Sequence, residues 1–144
     1  YVGNLQRVRY SRYYSVSCLH RHHNPDLSMQ ENIKLYSKCA GIHGHEYILR
    51  VDLWGPIDPQ VGVVVFRQDM DEILQREFVY AFNGQILNEK LGNTSGELIL
   101  TQMTERLKTC FSENLQLTLK LQETKKNSFY TYGSQINALR LPET

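Results

Sequence analysis

Apolar and polar residues alternate along four stretches of the chain, and such alternation predicts strands with one buried face. The stretches are residues 5–20, 43–54, 115–124 and 129–141. The third is the most regular, because its leucines share one parity and its polar residues take the other. In the first stretch Arg12 shares the parity of the apolar residues and interrupts the pattern. The chain is therefore predicted to contribute four strands.

Between the second and third strands the apolar residues recur every three or four positions, which is the spacing of an amphipathic helix. This spacing predicts helices over residues 67–78 and 94–111, joined by a loop over residues 79–93. The second helix opens on Thr94 and Glu97, which have the spacing of a capping box.

A shorter helical turn is predicted within the loop of residues 24–38, where Ser28 and Glu31 form another capping box. The elements then follow in the order ββααββ. This order predicts an α+β domain, with an antiparallel four-stranded sheet and two helices on one face. A chain of 144 residues is enough for one domain with one core, so residues 1–144 are expected to form a single domain.

Composition and charge exclude several classes of partner. The net charge is +1, which gives no electrostatic reason to expect a nucleic acid or a membrane surface. No apolar stretch is long enough for a signal peptide or a membrane span. The three cysteines have no C-x-x-C spacing, so a reducing, cytoplasmic setting is expected. Arginines and tyrosines cluster between Arg7 and Tyr14; the solvated face of a strand, a patch for RNA, or contacts to a substrate phosphate would each explain them.

All five histidines lie between Val16 and Leu53. His43 and His45 are two residues apart on a predicted strand, so their side chains share its apolar face. His20 ends the first strand on its apolar parity, and antiparallel pairing would bring it to them. Three neutral imidazoles with a fourth position open are typical of a catalytic zinc site. The alternative is that His20 is a hydrogen-bonded core residue and that the H-x-H pair binds no metal, since such short motifs often occur by chance. The shared parity of the three histidines favours the metal site.

Cys39 is a candidate reactive residue. It follows Lys38 in the loop that leads to His43, and a thiol beside a cation and near a metal has a favoured thiolate form. A buried, inert thiol is the alternative, and it is the one expected for Cys18 and Cys110.

Several segments resemble the 6-pyruvoyl-tetrahydropterin synthase family, which includes the bacterial 6-carboxy-tetrahydropterin synthases of queuosine biosynthesis. The segments that carry the resemblance are the strand end at His20, the turn Glu31-Asn32-Ile33-Lys34, Lys38-Cys39, His43-Gly44-His45-Glu46-Tyr47, the hairpin of residues 55–62 and Glu123-Thr124. Together they cover nearly the whole chain.

The resemblance implies a zinc ion held by His20, His43 and His45, with Cys39 as the general base and Glu123 as the anchor of a pterin ring. It implies that the substrate is 7,8-dihydroneopterin triphosphate or a related dihydropterin. The implied chemistry is triphosphate elimination and side-chain rearrangement, without an external redox cofactor. It also implies that sheets of the tunnelling-fold type join into a trimeric barrel, that two barrels stack into a hexamer, and that the active sites lie between subunits.

Some of these implied contacts have simpler alternatives. Glu123 continues the leucine parity of the third strand, where a carboxylate is costly unless it is paired. A water-exposed edge or a following lysine would explain it, as would hydrogen bonds from the N–H groups of a 2-amino-pyrimidinone. Thr94, Ser95 and Glu97 stand where the family contacts the pterin, but helix capping explains Thr94 and Glu97 equally well.

The chain departs from the family pattern at Asn83-Gly84, where the family has an Asp-His pair that works with the cysteine. Asparagine does not ionise and glycine has no side chain, so neither residue can accept a proton. One hypothesis is an enzyme with a modified proton path, in which Cys39 acts alone or with His23 or Glu46. The other is a zinc-containing pterin-binding paralogue with little turnover, and substitutions introduced to trap a substrate would give the same sequence. The retained cysteine favours the enzyme. The sequence leaves open whether the product is of the pyruvoyl or the carboxy type.

Overall fold

The structure, a computed structural model, describes residues 7–131. These residues form one antiparallel sheet with the order β1-β2-β3-β4. The strands are β1 (Arg7–His20), β2 (His43–Pro56), β3 (Gln116–Gln122) and β4 (Ser128–Tyr130). The predicted four-stranded antiparallel sheet is therefore confirmed. The predicted start of the first strand at residues 5–6, and most of the last strand from residue 132 onward, lie outside the described residues.

Helical segments fill the long connection between β2 and β3. They are α2 (Arg67–Leu74), a π-helical turn (Gln75–Val79), α3 (Tyr80–Phe82), α4 (Leu87–Leu91) and α5 (Gly96–Leu107). The prediction of a loop over residues 79–93 is wrong, because α3 and α4 lie within it. The short apolar runs there hold too few residues to show a helical period, but Phe82 and Leu87 are buried in the core. None of the helices in this described part of the chain combines the length and apolar content that a membrane crossing requires.

The two capping boxes have different outcomes. The box before α1 (Met29–Tyr36) is confirmed, because Ser28 accepts from the backbone of Glu31 and the Glu31 side chain accepts from Ser28. The box at α5 is wrong. Ser95 is the N-cap there and accepts from the backbone of Leu98, whereas the hydroxyl of Thr94 donates to the carbonyl of Arg21 at 3.2 Å. Thr94 is therefore used to connect α5 to the end of β1.

The hydrophobic core lies between one face of the sheet and the helices. Alternate residues of β1, β2 and β3 face it, as the strand patterns predict. The most deeply buried of its large side chains are Tyr47, Leu49, Leu53, Met70, Leu74, Phe78, Phe82, Met103, Leu107, Leu119 and Leu121. The opposite face of the sheet is exposed along β1, where Tyr13 retains 65% of its accessible surface.

The structure explains why Arg12 interrupts the strand pattern. Its guanidinium makes two hydrogen bonds to the carboxylate of Asp71 on α2, at 2.7 Å and 3.1 Å. The Tyr14 hydroxyl donates to the same carboxylate at 2.6 Å. Burial acts to raise the pKa of Asp71, but the hydrogen bonds from Tyr14 and Arg12 outweigh it and hold the pKa below its usual value. A paired cation thus sits at the margin of the core and attaches α2 to β1.

We expect Asp71→Asn to destabilise the protein by about 1–3 kcal/mol at pH 7, because hydrogen bonds to a charged acceptor contribute about this much. The folded-state pKa of Asp71 is depressed, so its contribution is present above the unfolded-state pKa and is lost as pH falls through the folded value. The free-energy difference between wild type and variant, measured by urea unfolding from pH 7 to pH 3, should therefore shrink toward low pH. Glu72→Gln, on the same helix, is the control; an equal effect of both substitutions would contradict the assignment.

Candidate metal centre

The pairing of β1 with β2 brings the three predicted histidines together. His20 is the direct cross-strand partner of His43, and His45 is the partner of Cys18. The ring centroid of His20 lies 4.4 Å from that of His43 and 4.9 Å from that of His45, and the last two rings are 4.8 Å apart. One nitrogen from each ring lies within 4.8 Å of the other two. A single divalent ion could bind all three.

Hydrogen bonds to backbone carbonyls select the tautomers of two of these rings. Nδ1 of His20 donates to the carbonyl of Thr94 at 2.9 Å, and Nδ1 of His43 donates to the carbonyl of Gly41 at 2.8 Å. A carbonyl only accepts, so each Nδ1 carries the proton and each Nε2 keeps its lone pair. This arrangement is the usual outer support of metal-binding histidines, because it orients the ring and raises its basicity.

The environment of His20 fits a metal ligand better than a satisfied core residue. Its side chain is fully buried, and its Nε2 has no hydrogen-bond partner among the described residues. Burial lowers the pKa of His20 to about 4, against the Thr94 carbonyl bond, which raises it. Burial also lowers the pKa of His45, with the charge of Glu123 opposing the effect. Both rings are thus held in the neutral form that binds metal, and the residues present fit a divalent cation.

The position of Cys39 differs from those of the other two cysteines. Cys39 is exposed, on the 3₁₀ turn Ser37–Ala40. Its carbonyl accepts from the backbone of His22 at 2.8 Å, and the ring of His22 lies 5.6 Å from that of His20. Cys18 is buried, as predicted, and burial raises the pKa of its thiol to about 12. The prediction that Cys110 is buried is wrong, because its exposure is intermediate. The accessible cysteine therefore lies on the loop next to the histidines, although its sulfur is outside the group of three ligand atoms.

Glu123 lies one residue beyond β3 and is partly buried. Its charge acts on the pKa values of both His45 and Tyr47, so the carboxylate lies near the histidine cluster. The ion pairs found among residues 7–131 do not include Glu123. Pairing with Lys125 or Lys126, the simpler explanation for this residue, therefore has no support in the described part of the chain.

Comparisons with known proteins identify the family to which the chain belongs. The sequence profile described as 6-pyruvoyl tetrahydropterin synthase matches residues 10–134. The chain belongs to the 6-pyruvoyl tetrahydropterin synthase family. It is 30% identical, over 83% of its length, to 90% of the 6-pyruvoyl tetrahydrobiopterin synthase of Dictyostelium discoideum. The solved Caenorhabditis elegans 6-pyruvoyl tetrahydropterin synthase superposes with a TM-score of 0.81 at 28% identity, over 92% of this chain and all of that one. The solved Plasmodium falciparum 6-pyruvoyl tetrahydropterin synthase shares the fold, with a TM-score of 0.54 at 13% identity over 89% of this chain and 98% of that one.

Thr94, Ser95 and Glu97, the predicted pterin contacts at the start of α5, have three different environments in the structure. Thr94 is buried, and its carbonyl binds His20. Ser95 caps the helix. Glu97 is exposed and lines a groove of about 390 Å³ beside Phe129. Sequence reasoning missed the support that Thr94 gives to His20, because a backbone carbonyl leaves no signal in the sequence.

Asn83 and Gly84, the two residues at which the sequence departs from the expected family pattern, lie along the outer edge of β1. The side-chain oxygen of Asn83 accepts from the backbone of Ser17 at 2.9 Å. The backbone of Gly84 donates to the carbonyl of Ser17 at 2.7 Å. Gly84 has a φ of 74° and lines an open groove of about 510 Å³ together with Glu46. The Asn83 side chain is therefore engaged in attaching its loop to the sheet.

We expect His20→Ala and His45→Ala to weaken zinc binding by about 100-fold or more, since each removes a ligand and changing even an outer partner costs about 10–100-fold. Competition with a colorimetric zinc chelator would measure the affinity, with circular dichroism as a check on folding. His23→Ala is the matched control, because His23 lies in the same histidine run but outside the group of three. Unchanged zinc affinity in folded His20→Ala would refute the site.

Proposed function

We propose that this chain is a zinc-dependent enzyme that acts on 7,8-dihydroneopterin triphosphate or a related dihydropterin. The proposed reaction eliminates triphosphate and rearranges the side chain. The observation that carries the proposal is the buried His20, whose Nε2 has no hydrogen-bond partner among residues 7–131 and lies close to two further imidazoles. A buried polar atom without a partner is costly, and a metal ion would satisfy it. Membership of a pterin synthase family supplies the substrate class.

Different residues around this centre would bind the metal, anchor the pterin ring and accept a proton. His20, His43 and His45 would hold the zinc ion, which when bound polarises the hydroxyl and carbonyl oxygens of a substrate side chain. Glu123 would accept the two N–H groups of the pyrimidinone ring and so anchor the pterin near the cluster. Cys39 would take the proton from the side-chain carbon as a general base. Its exposure on the neighbouring turn supports access to a substrate.

We also propose that the protein assembles into a trimeric barrel and a hexamer. The sheet face that carries Tyr13 is exposed along β1, whereas the buried helical side chains from Met70 to Leu107 belong to the core on the other face. An exposed sheet face and free strand edges need protection from non-specific pairing. Joining the sheets of several copies would cover both, and it would place residues of one copy next to the site of another.

A second candidate function is that of a zinc-containing pterin-binding protein with little turnover. It is favoured by one observation, the use of Asn83 to bind the backbone of Ser17 beside a glycine that offers no acid or base. Without a positioned proton-transfer group, a rate falls by roughly 10²–10⁴-fold. The two candidate functions share the zinc site and the pterin anchor. They differ in whether Cys39 is needed for turnover.

We expect zinc-loaded protein to release triphosphate from 7,8-dihydroneopterin triphosphate under reducing, anaerobic conditions, and Cys39→Ala to lower the rate by about 10²-fold or more. Triphosphate release and the mass of the pterin product would be followed together. Cys110→Ala is the matched control. It also removes a thiol, but that thiol follows α5 and donates to the carbonyl of Arg106, so it has no role in the proposed site. Tight pterin binding without release, identical in wild type and Cys39→Ala, would refute the enzyme and leave the binding protein.

We expect the double substitution Asn83→Asp/Gly84→His to raise kcat by roughly 10²-fold or more, because it supplies the missing acid-base pair. A side chain at Gly84 meets no atom within 4 Å, although its positive φ costs roughly 1–2 kcal/mol for a residue with a Cβ. Asn83→Asp alone is the control, since aspartate can still accept from Ser17. An unchanged kcat in the folded double variant would show that the proton leaves by another path.

A further inference from the structure

Tyr47 lies within the candidate site but has no role in the function proposed above. It follows His45 by two residues on β2 and therefore shares its face. Its ring centroid lies 5.7 Å from that of His20 and 5.5 Å from that of His45. Only 1% of its surface is accessible. The Tyr47 ring thus packs against the imidazoles of two candidate ligands.

The hydroxyl of Tyr47 is buried and completes no hydrogen bond of good geometry among the described residues. The Glu123 carboxylate nevertheless lies near enough to interact with it. Buried tyrosine hydroxyls usually find a partner, and an unpaired one lowers stability. Packing alone would be served by phenylalanine, which has the same ring without this penalty. The hydroxyl therefore points to a function that becomes effective when the site is filled.

Glu123 is the neighbour that this hydroxyl can serve. Ile48 pairs with Gln122 across the antiparallel β2–β3 ladder, so Tyr47 and Glu123 are the next positions in the same register. Both continue the core-facing parity of their strands, and opposed residues of such a pair have neighbouring side chains. A phenol hydroxyl can donate a hydrogen bond, and a carboxylate can accept it.

We propose that Tyr47 is a positioning residue, whose hydroxyl donates to the Glu123 carboxylate and fixes its orientation when a pterin ring binds. This inference rests on the proposed function, in which Glu123 anchors the ring. The two N–H groups of a 2-amino-pyrimidinone lie in one plane and require both carboxylate oxygens in that plane. An ionised carboxylate can accept more than two hydrogen bonds, so a third donor from the protein can hold it without competing with the ligand.

The order of the elements explains why Glu123 needs such support. It lies just beyond the end of β3, where its backbone donates to the carbonyl of Asn127 at 3.0 Å in the turn toward β4. Its side chain is only partly buried, and a free carboxylate there would lose rotational freedom on binding a ligand. Tyr47 belongs to the central strand β2 and is held between rings. A buried hydroxyl on β2 can therefore orient a partly buried carboxylate at the end of β3.

The test is a double-substitution cycle read out by the dissociation constant of neopterin, measured by its fluorescence. We expect Tyr47→Phe to weaken binding by about tenfold, the effect of one lost hydrogen bond, and Glu123→Gln to weaken it by at least as much. In the Glu123→Gln background, Tyr47→Phe should then change the dissociation constant by less than about twofold, since coupled residues are not additive. Zinc affinity should stay unchanged in Tyr47→Phe, and its Tm should be unchanged or higher, because the substitution removes a buried hydroxyl without a good partner. Tyr13→Phe, on the exposed sheet face, is the matched control.

The possible failures are distinguishable. If Glu123→Gln weakens neopterin binding while Tyr47→Phe does not, or if the two effects multiply, the positioning role is overturned and the pterin anchor stands. The role is also overturned if Tyr47→Phe loses zinc or lowers Tm, because the loss of binding would then come from the metal or the core. If wild-type protein does not bind neopterin, or Glu123→Gln binds it equally well, the proposed function itself fails and this inference fails with it.

Discussion

The register between β1 and β2 is the constraint on which the rest of this structure depends. Each strand has fourteen residues, and all fourteen positions pair, from Arg7 with Pro56 to His20 with His43. A slip of one residue would turn every side chain to the opposite face. It would remove Tyr14 and Val16 from the core and would separate the imidazoles at the end of the ladder. One ladder of backbone hydrogen bonds thus holds the core and the candidate metal centre together.

The candidate centre depends on burial as much as on proximity. Three imidazoles in water would take up protons at mildly acidic pH and repel one another. Here burial lowers the pKa values of His20 and His45, while the carbonyls of Thr94 and Gly41 direct the lone pairs inward. The energetic cost is an unpaired nitrogen in the absence of metal, and this cost is what a bound cation would relieve. The folded protein is therefore expected to be more stable with a cation bound at this site than without one.

Much of this architecture follows from sequence periodicity alone. Alternation located the strands, including the leucine row of β3, and the shared parity of His20, His43 and His45 indicated one cluster. These predictions succeed because the direction of a side chain on a strand is a local property with a period of two residues. The predicted limits of the helices were less accurate. The pattern predicts a loop over residues 79–93, but two short helices, α3 and α4, form there. Packing of single apolar residues such as Phe82 and Leu87 supports them, and single residues give no repeating pattern.

Only the tertiary structure decided which residues support the site. Thr94 binds His20 across 74 positions of the chain, and Asp71 accepts from Arg12 across 59. Neither partner can be inferred from spacing, because these contacts form between elements that meet only after the sheet and helices have packed. The same holds for Tyr47, which reads in the sequence as one more apolar strand residue. The sequence by itself determined the faces of the strands and the chemistry available on them; the packed structure determined which polar atoms are paired and which are left for a ligand, since that depends on burial and on distant backbone groups.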